Sequence, residues 1–290
     1  MNVHHELSSG IFLVNQATAN ILNPYLFAVK TNPGSLSQIP KHDRTGASIA
    51  FSSQQKIFTA DIYDINWSPE EIQEPTIFIL DIVGPILKYN NWWNYGMMNM
   101  ANWLKMADNH PNIFAHVLRI DSGGGNGYAS EFMVGCLKDL KKPVFAICDG
   151  MLASAAYEIA AAAVHVRAAL PSNYIGSIGT YIPFWDDSKR MESLGIVDVQ
   201  IYARKSKDKN AEYRDAVKGD FAKMQALADQ YNEFFLDSIT NNRGEKLGPE
   251  SEWGTGKMFF GQEAQDIGLI DDIGSFDDYL QKIYDEFKPN

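Results

Sequence analysis

A chain of 290 residues, 45% hydrophobic and 21% charged, is long enough to bury a large core and reads as neither fibrous nor disordered. Its net charge of −11 excludes nucleic acid as the main partner, because neutralising phosphates needs clustered Lys and Arg, and these cluster only in "RKSKDKN", residues 204–210. No stretch approaches the roughly 18 apolar residues of a membrane span.

Residues 1–75 carry the least information: a short amphipathic segment, "ATANILNPYL", and a Gly/Ser/Pro-rich loop from Asn32 to Ser53. They are expected to be an extension or arm, with one domain over 76–290. From "PTIFILDIVGPIL" (75–87) β-branched and aromatic residues run almost without interruption, as in a strand buried on both faces. A helix around 93–107, a strand over 113–121, a helix from about Ala129 to Leu140 and a strand over 143–149 follow. This alternation predicts parallel strands joined by right-handed crossovers, a layered α/β domain with its ligands at the carboxyl ends of strands. Further on come a short strand within 163–170, a turn in "PSNYIGSIGTY", and a long helix over about 215–241 with Phe221, Leu227, Tyr231, Phe234 and Phe235 as its buried residues. A short helix, a strand and an amphipathic helix close the chain.

Two strand ends invite chemistry. "DSGGGNG" (121–127) fails as a dinucleotide fingerprint because Tyr128 stands at the third glycine position, and no Lys-Ser or Lys-Thr follows to make a phosphate loop. Its consecutive glycines still expose backbone N–H groups and admit another chain, which suits an oxyanion hole or an edge for an extended peptide; a plain tight turn is the bland reading. After the second end, "DGMLASAAYEIAAAA" (149–163) sets a lone hydroxyl, Ser154, before a run of alanines. Ser154 is either a helix N-cap or a nucleophile whose oxyanion rests on adjacent N–H groups. A cap needs no such ring of small side chains. None of His4, His5, His42, His110, His116 or His165 has a triad context, which leaves a lysine as base, one of Lys205, Lys207 and Lys209 in the mutually positive cluster. A solvated surface run is the bland alternative for those lysines.

Four segments in order, from about residue 76 to 283, resemble the signal peptide peptidase A family of serine peptidases. "RIDSGGGNG" resembles its Asp-Ser-Pro-Gly-Gly turn, with Gly123 in place of proline. "KKPVFAICDGMLASAAYEIA" resembles its nucleophile strand and helix, "LPSNYIGSIGTYI" its Gly-Ser-Ile-Gly motif, and "FFGQEAQDIGLIDDIGSFDDYL" its terminal segment. The resemblance implies a Clp-protease/crotonase-like fold, a layered β-β-α superhelix of parallel strands with flanking helices, and a Ser-Lys dyad. It implies Ser154 as nucleophile, and the Ala155 N–H with one from Gly124 or Gly125 as oxyanion donors. Ser177 would orient the lysine. Lys207, 53 residues after Ser154 and followed by Asp208, fits as base better than its rival Lys205, although Arg204 replaces the family's glycine. No metal or nucleotide cofactor is implied. The expected partners are an extended peptide or protein substrate and further copies of the chain, with "NNWWNYGMM" (90–98) as the candidate contact or else buried core.

Lacking the anchor of membrane-bound members, a leader of basic and apolar residues, and a disulfide framework (Cys136 and Cys148 sit in apolar settings), the chain is expected to be soluble and cytoplasmic. The nearest type is then the phage or prophage protease that processes capsid scaffolds. The competing expectations are a crotonase-like acyl-CoA enzyme, for which Glu158 is the one carboxylate of the nucleophile helix, and a catalytically silent assembly protein of the same fold.

Overall fold

The structure is a computed structural model that describes residues 12–14, 46–53, 56–61, 72–90, 95–184 and 186–289. In chain order the first elements are strands β1 (Phe12–Val14), β2 (Ala47–Ser53), β3 (Lys56–Asp61) and β4 (Thr76–Val83), then helix α1 (Met97–Asn109). Strands β5 (Ile113–Ser122) and β6 (Gly124–Asn126) follow, then α2 (Gly127–Lys138), β7 (Val144–Ala153), α3 (Ala155–Ala161), β8 (His165–Ala168) and β9 (Tyr174–Gly176). The chain continues through α4 (Ser188–Ser193), α5 (Ala211–Val217), α6 (Ala222–Arg243), α7 (Glu250–Trp253), β10 (Met258–Phe260), α8 (Gly261–Asp266), β11 (Asp272–Ile273) and α9 (Phe276–Phe287).

Among the described residues one nine-stranded sheet runs β10-β9-β7-β5-β4-β2-β3, with β8 and β11 branching from the first half of β7. Strands β4, β5, β7 and β8 are parallel, as the strand-helix alternation predicts. Side chains alternate along β4. Phe78, Leu80 and Ile82 join α1, α2 and α3 in one core, whereas Ile77 and Ile79 join Phe114, Val117 and Phe145 under α9 in a second. Helix α9 presents Tyr279, Leu280, Ile283 and Tyr284 to that second core, and Ser275 caps it by accepting the Asp278 N–H at 3.2 Å.

Several boundaries differ from the sequence expectation. Within the predicted 32–53 loop, Ala47–Ser53 forms β2, which pairs antiparallel with β4 and carries β3 on its outer edge. The segment "ATANILNPYL" lies outside the described residues. The predicted turn "PSNYIGSIGTY" contains β9, paired with β7 on one side and β10 on the other. The long helix is two, broken at Gly219, whose φ of 88° a side chain would resist. Phe235 is buried as expected, but Phe221 and Phe234 are exposed, since α6 buries only Phe235, Leu236, Ile239 and Arg243 near its C-terminal end. Of "NNWWNYGMM", residues 91–94 are outside the described residues; Met97 is buried and Tyr95 packs edge-on against Trp103 at 4.8 Å, whereas Met98 is exposed.

Candidate active site

The site is built where β5 and β7 end. Ile120 pairs with Cys148 and Ser122 with Leu152, so four residues of β7 span two of β5, and the slack forms a bulge at Asp149–Met151. The Asp121 carboxylate holds that bulge. It accepts the Met151 N–H at 3.0 Å, and it lies so close to Gly150 that a Cβ there would meet Oδ1 at 2.4 Å. Beyond the bulge β7 resumes, Ala153 pairs with Gly176, and the chain turns into α3 at Ser154.

Ser154 is fully buried, with φ 57° and ψ −124°, a backbone conformation costly for any residue with a Cβ. It is held there by its N–H donating to Gly176 O at 2.8 Å and by its carbonyl accepting the Glu158 N–H at 3.0 Å. Its Oγ caps nothing and has no hydrogen-bond partner. The N-cap alternative is therefore not realised. A strained serine with an unpaired buried hydroxyl is a combination that folding alone disfavours on both counts, and such outliers concentrate at catalytic positions.

The alanines acquire a reason. Every residue of α3 is buried, since the helix sits between the sheet, α2 and α6. Tyr157 spans the gap by donating its hydroxyl to Leu269 O at 2.8 Å. Glu158 turns to α2, accepting from Ser130 Oγ at 2.5 Å, and burial pushes its carboxyl up. Its carboxylate is thus engaged in helix packing. Of the histidines, His116 is buried against Asp108 at 3.2 Å and His165 meets Tyr279 Oη at 2.8 Å, both within the fold; His4, His5 and His42 lie outside the described residues. Cys136 and Cys148 are free thiols in the core, and burial pushes Cys148 up to about 12.

Ser154, Ala155, Gly124, Gly125 and Ser177 converge. Ser122 pairs with Leu152, so Gly124 and Ser154 each stand two residues beyond a paired position on neighbouring strands, and β6 packs against α3. Gly125 is fixed by Ile86, whose N–H donates to Gly124 O at 2.9 Å and whose carbonyl accepts the Asn126 N–H at 2.8 Å. Ser177, also at positive φ (53°), directly follows the residue that accepts the Ser154 N–H, and donates its own N–H to Lys257 O at 2.8 Å. The lysines are elsewhere. Lys207 is 82% exposed and ion-paired with Asp208 at 3.5 Å; Lys205 is exposed too, and neither is hydrogen-bonded to Ser154. Sequence reasoning missed Asp121 and Gly150, although "DG" at a strand end is a bulge or turn signal. Among the described residues no group of three or more His, Cys, Asp or Glu is placed to hold a metal, and no helix is long and apolar enough to cross a membrane.

The model of peptidase family S49 matches residues 137–288, more than half of the chain and including Ser154, Ser177 and both lysines. The chain belongs to peptidase family S49. Its mixed sheet with flanking helices agrees with the Clp-protease/crotonase-like fold of that family. It is 28% identical over 184 residues to an archaeal chain of Methanocaldococcus jannaschii that carries a protease name, covering 63% of this chain and 59% of that one. It is 28% identical to protease 4 of Salmonella typhi (65% of this chain, 31% of that one) and 29% identical to the chloroplastic serine protease SPPA of Arabidopsis thaliana (55% and 24%). The chain thus spans less than two thirds of the length of each of these relatives.

Proposed function

We propose that this S49 chain is a serine endopeptidase in which Ser154 attacks the peptide carbonyl. The observation that carries the reading is the Ser154 hydroxyl itself, buried, unpaired and held on strained backbone beside the glycine strand β6. The Ala155 N–H and a glycine N–H of β6 receive the oxyanion, a backbone donor pair that needs no metal. Lys207, oriented by Ser177, takes the Ser154 proton, passes it to the leaving amine and then activates the water that releases the acyl-enzyme.

Because neither lysine is bonded to Ser154 within one chain, a homo-oligomer completes the site. Lys207 follows an exposed apolar stretch in which Val197, Val199 and Ile201 are 80%, 74% and 93% exposed. A second copy covers that stretch and receives Lys207 in its cleft. The substrate is a protein segment presented as an extended strand, with a phage or prophage scaffold protein the specific candidate, on the motif resemblance alone.

The test is casein and peptide cleavage by wild type beside Ser154→Ala, Lys207→Ala and Lys205→Ala, each checked for unchanged folding and assembly. Activity lost in the first two and kept in the third is expected. Mixing Ser154→Ala with Lys207→Ala protein restores part of the activity if the lysine comes from a neighbouring copy. Activity surviving Ser154→Ala overturns the mechanism and returns attention to acyl-CoA ligands or a structural role.

A further inference from the structure

Strand β6 has two edges, and both are occupied by this chain. On one side Gly124 O and the Asn126 N–H are bonded to Ile86. Along a strand successive residues direct their backbone polar groups to opposite edges, so the N–H and C=O of Gly125 face the other side. There stands β1, antiparallel, with Phe12 opposite Asn126, Leu13 opposite Gly125 and Val14 opposite Gly124. Leu13 and Gly125 are therefore the pair that exchanges backbone hydrogen bonds. Gly125 is also the residue that Ile86 keeps in place, since a Cβ on it would meet Ile86 O at 2.1 Å.

Beside the nucleophile, this edge is where an extended peptide would bind, because strand addition supplies main-chain hydrogen bonds whatever the sequence. We propose that the Phe12–Val14 segment is a built-in occupant of the substrate edge: an intramolecular competitor that must leave before a substrate strand can pair with Gly125. Its sequence, Phe-Leu-Val, then reports the ligand class, an extended apolar segment running antiparallel to β6. That the occupant inhibits rests on the peptidase reading above; that it occupies the edge and competes with a peptide does not. A two-stranded pairing of three residues is marginal by itself, so the occupant is displaceable and acts as a brake. An edge open for only about a tenth of the time weakens the apparent affinity for a second strand about tenfold.

The experiment compares full-length wild type with Leu13→Pro, which removes the N–H facing Gly125, and with Leu13→Ala, which keeps it. In a Ser154→Ala background, where turnover cannot interfere, the Gly125 amide exchanges its hydrogen faster in Leu13→Pro than in the other two. A labelled peptide of residues 8–16, "SSGIFLVNQ", binds Leu13→Pro about tenfold tighter. With Ser154 intact, Leu13→Pro lowers KM for an apolar peptide by a similar factor and leaves kcat unchanged. Equal Gly125 exchange in all three proteins, or equal peptide affinity, overturns the proposal. Altered exchange and affinity with no hydrolysis by any protein upholds the occupancy and overturns the peptidase reading instead. Altered exchange and affinity with KM unchanged in an active enzyme overturns the inhibitory role.

Discussion

Gly125→Ala isolates the role of β6. Gly125 does not adopt a positive φ, so alanine is conformationally permitted there, and the effect arises from contact alone. The added Cβ would stand 2.1 Å from Ile86 O, 2.6 Å from Ile86 N and 2.8 Å from Ile86 C, all backbone atoms that no rotamer change can clear. To reach an ordinary contact distance β6 must move by more than about 1 Å, and a misplacement of about 1 Å already costs on the order of 100-fold in rate when it shifts an oxyanion donor or a substrate strand. The overpacking itself costs about 1–3 kcal/mol of stability, which a protein with this core survives. The assay is steady-state cleavage of a fluorogenic apolar peptide, with thermal unfolding as the folding control. A fall of about 100-fold in kcat/KM with cooperative unfolding retained is expected. Full activity in a folded Gly125→Ala protein would refute the assignment of β6 to the oxyanion and substrate edge.

Ser154→Gly removes both a buried unpaired hydroxyl and the strain of positive φ, so it should raise stability by about 1–3 kcal/mol while abolishing cleavage, as thermal unfolding and peptide assays would show. Arg243→Met removes an ion pair of 2.9 Å from Asp271 and the donors from Gly268 O, but leaves Asp271 its bonds from Lys246 and the Val166 N–H, and should cost about 1–3 kcal/mol in denaturant titrations. Acid should destabilise the protein in two limbs. Burial lowers His116 to about 4 despite its Asp108 bond, so the unfolded imidazole takes up its proton near pH 6.5 while the folded one does not, and stability falls from about pH 6.5 to 4. Burial alone would raise Asp271, but hydrogen bonds from Arg243, Lys246 and the Val166 N–H outweigh it and bring the carboxyl to about 2. Its contribution is whole above about pH 4 and is lost as the pH falls toward 2. Melting temperature followed across this range should show both limbs, with His116→Gln diminishing the upper one and leaving the part due to His165, which burial also lowers.

Much of this arrangement is legible in the sequence because the strands that frame it are buried on both faces. Strands β4, β5 and β7 read as continuous apolar runs, and Ser154 before a run of alanines marks a hydroxyl at the start of a closely packed helix. What is not legible depends on partners distant in the chain. Three residues of β9 among glycines look like a turn until β7 and β10 pair with them. The positive φ of Ser154 leaves no compositional trace, because the glycine that such backbone favours is absent at the one position where a side chain is needed. Phe221 and Phe234 fit a helical stripe, yet α6 packs only through its last turns, and periodicity cannot say how much of a stripe is covered. The pairing of β1 with β6 joins residues more than a hundred positions apart. The lysine cluster is visible as charge, but its distance from Ser154 is a property of the folded chain.

In the proposed mechanism Ser154 carries the acyl group. The most direct measurement mixes the protein rapidly with an activated peptide ester and follows intact mass and, after digestion, the fragment that holds the adduct. A burst of one acyl group per functional site is expected, located on Ser154 and absent from Ser154→Ala. An adduct on another residue, or undiminished turnover by Ser154→Ala, would contradict it.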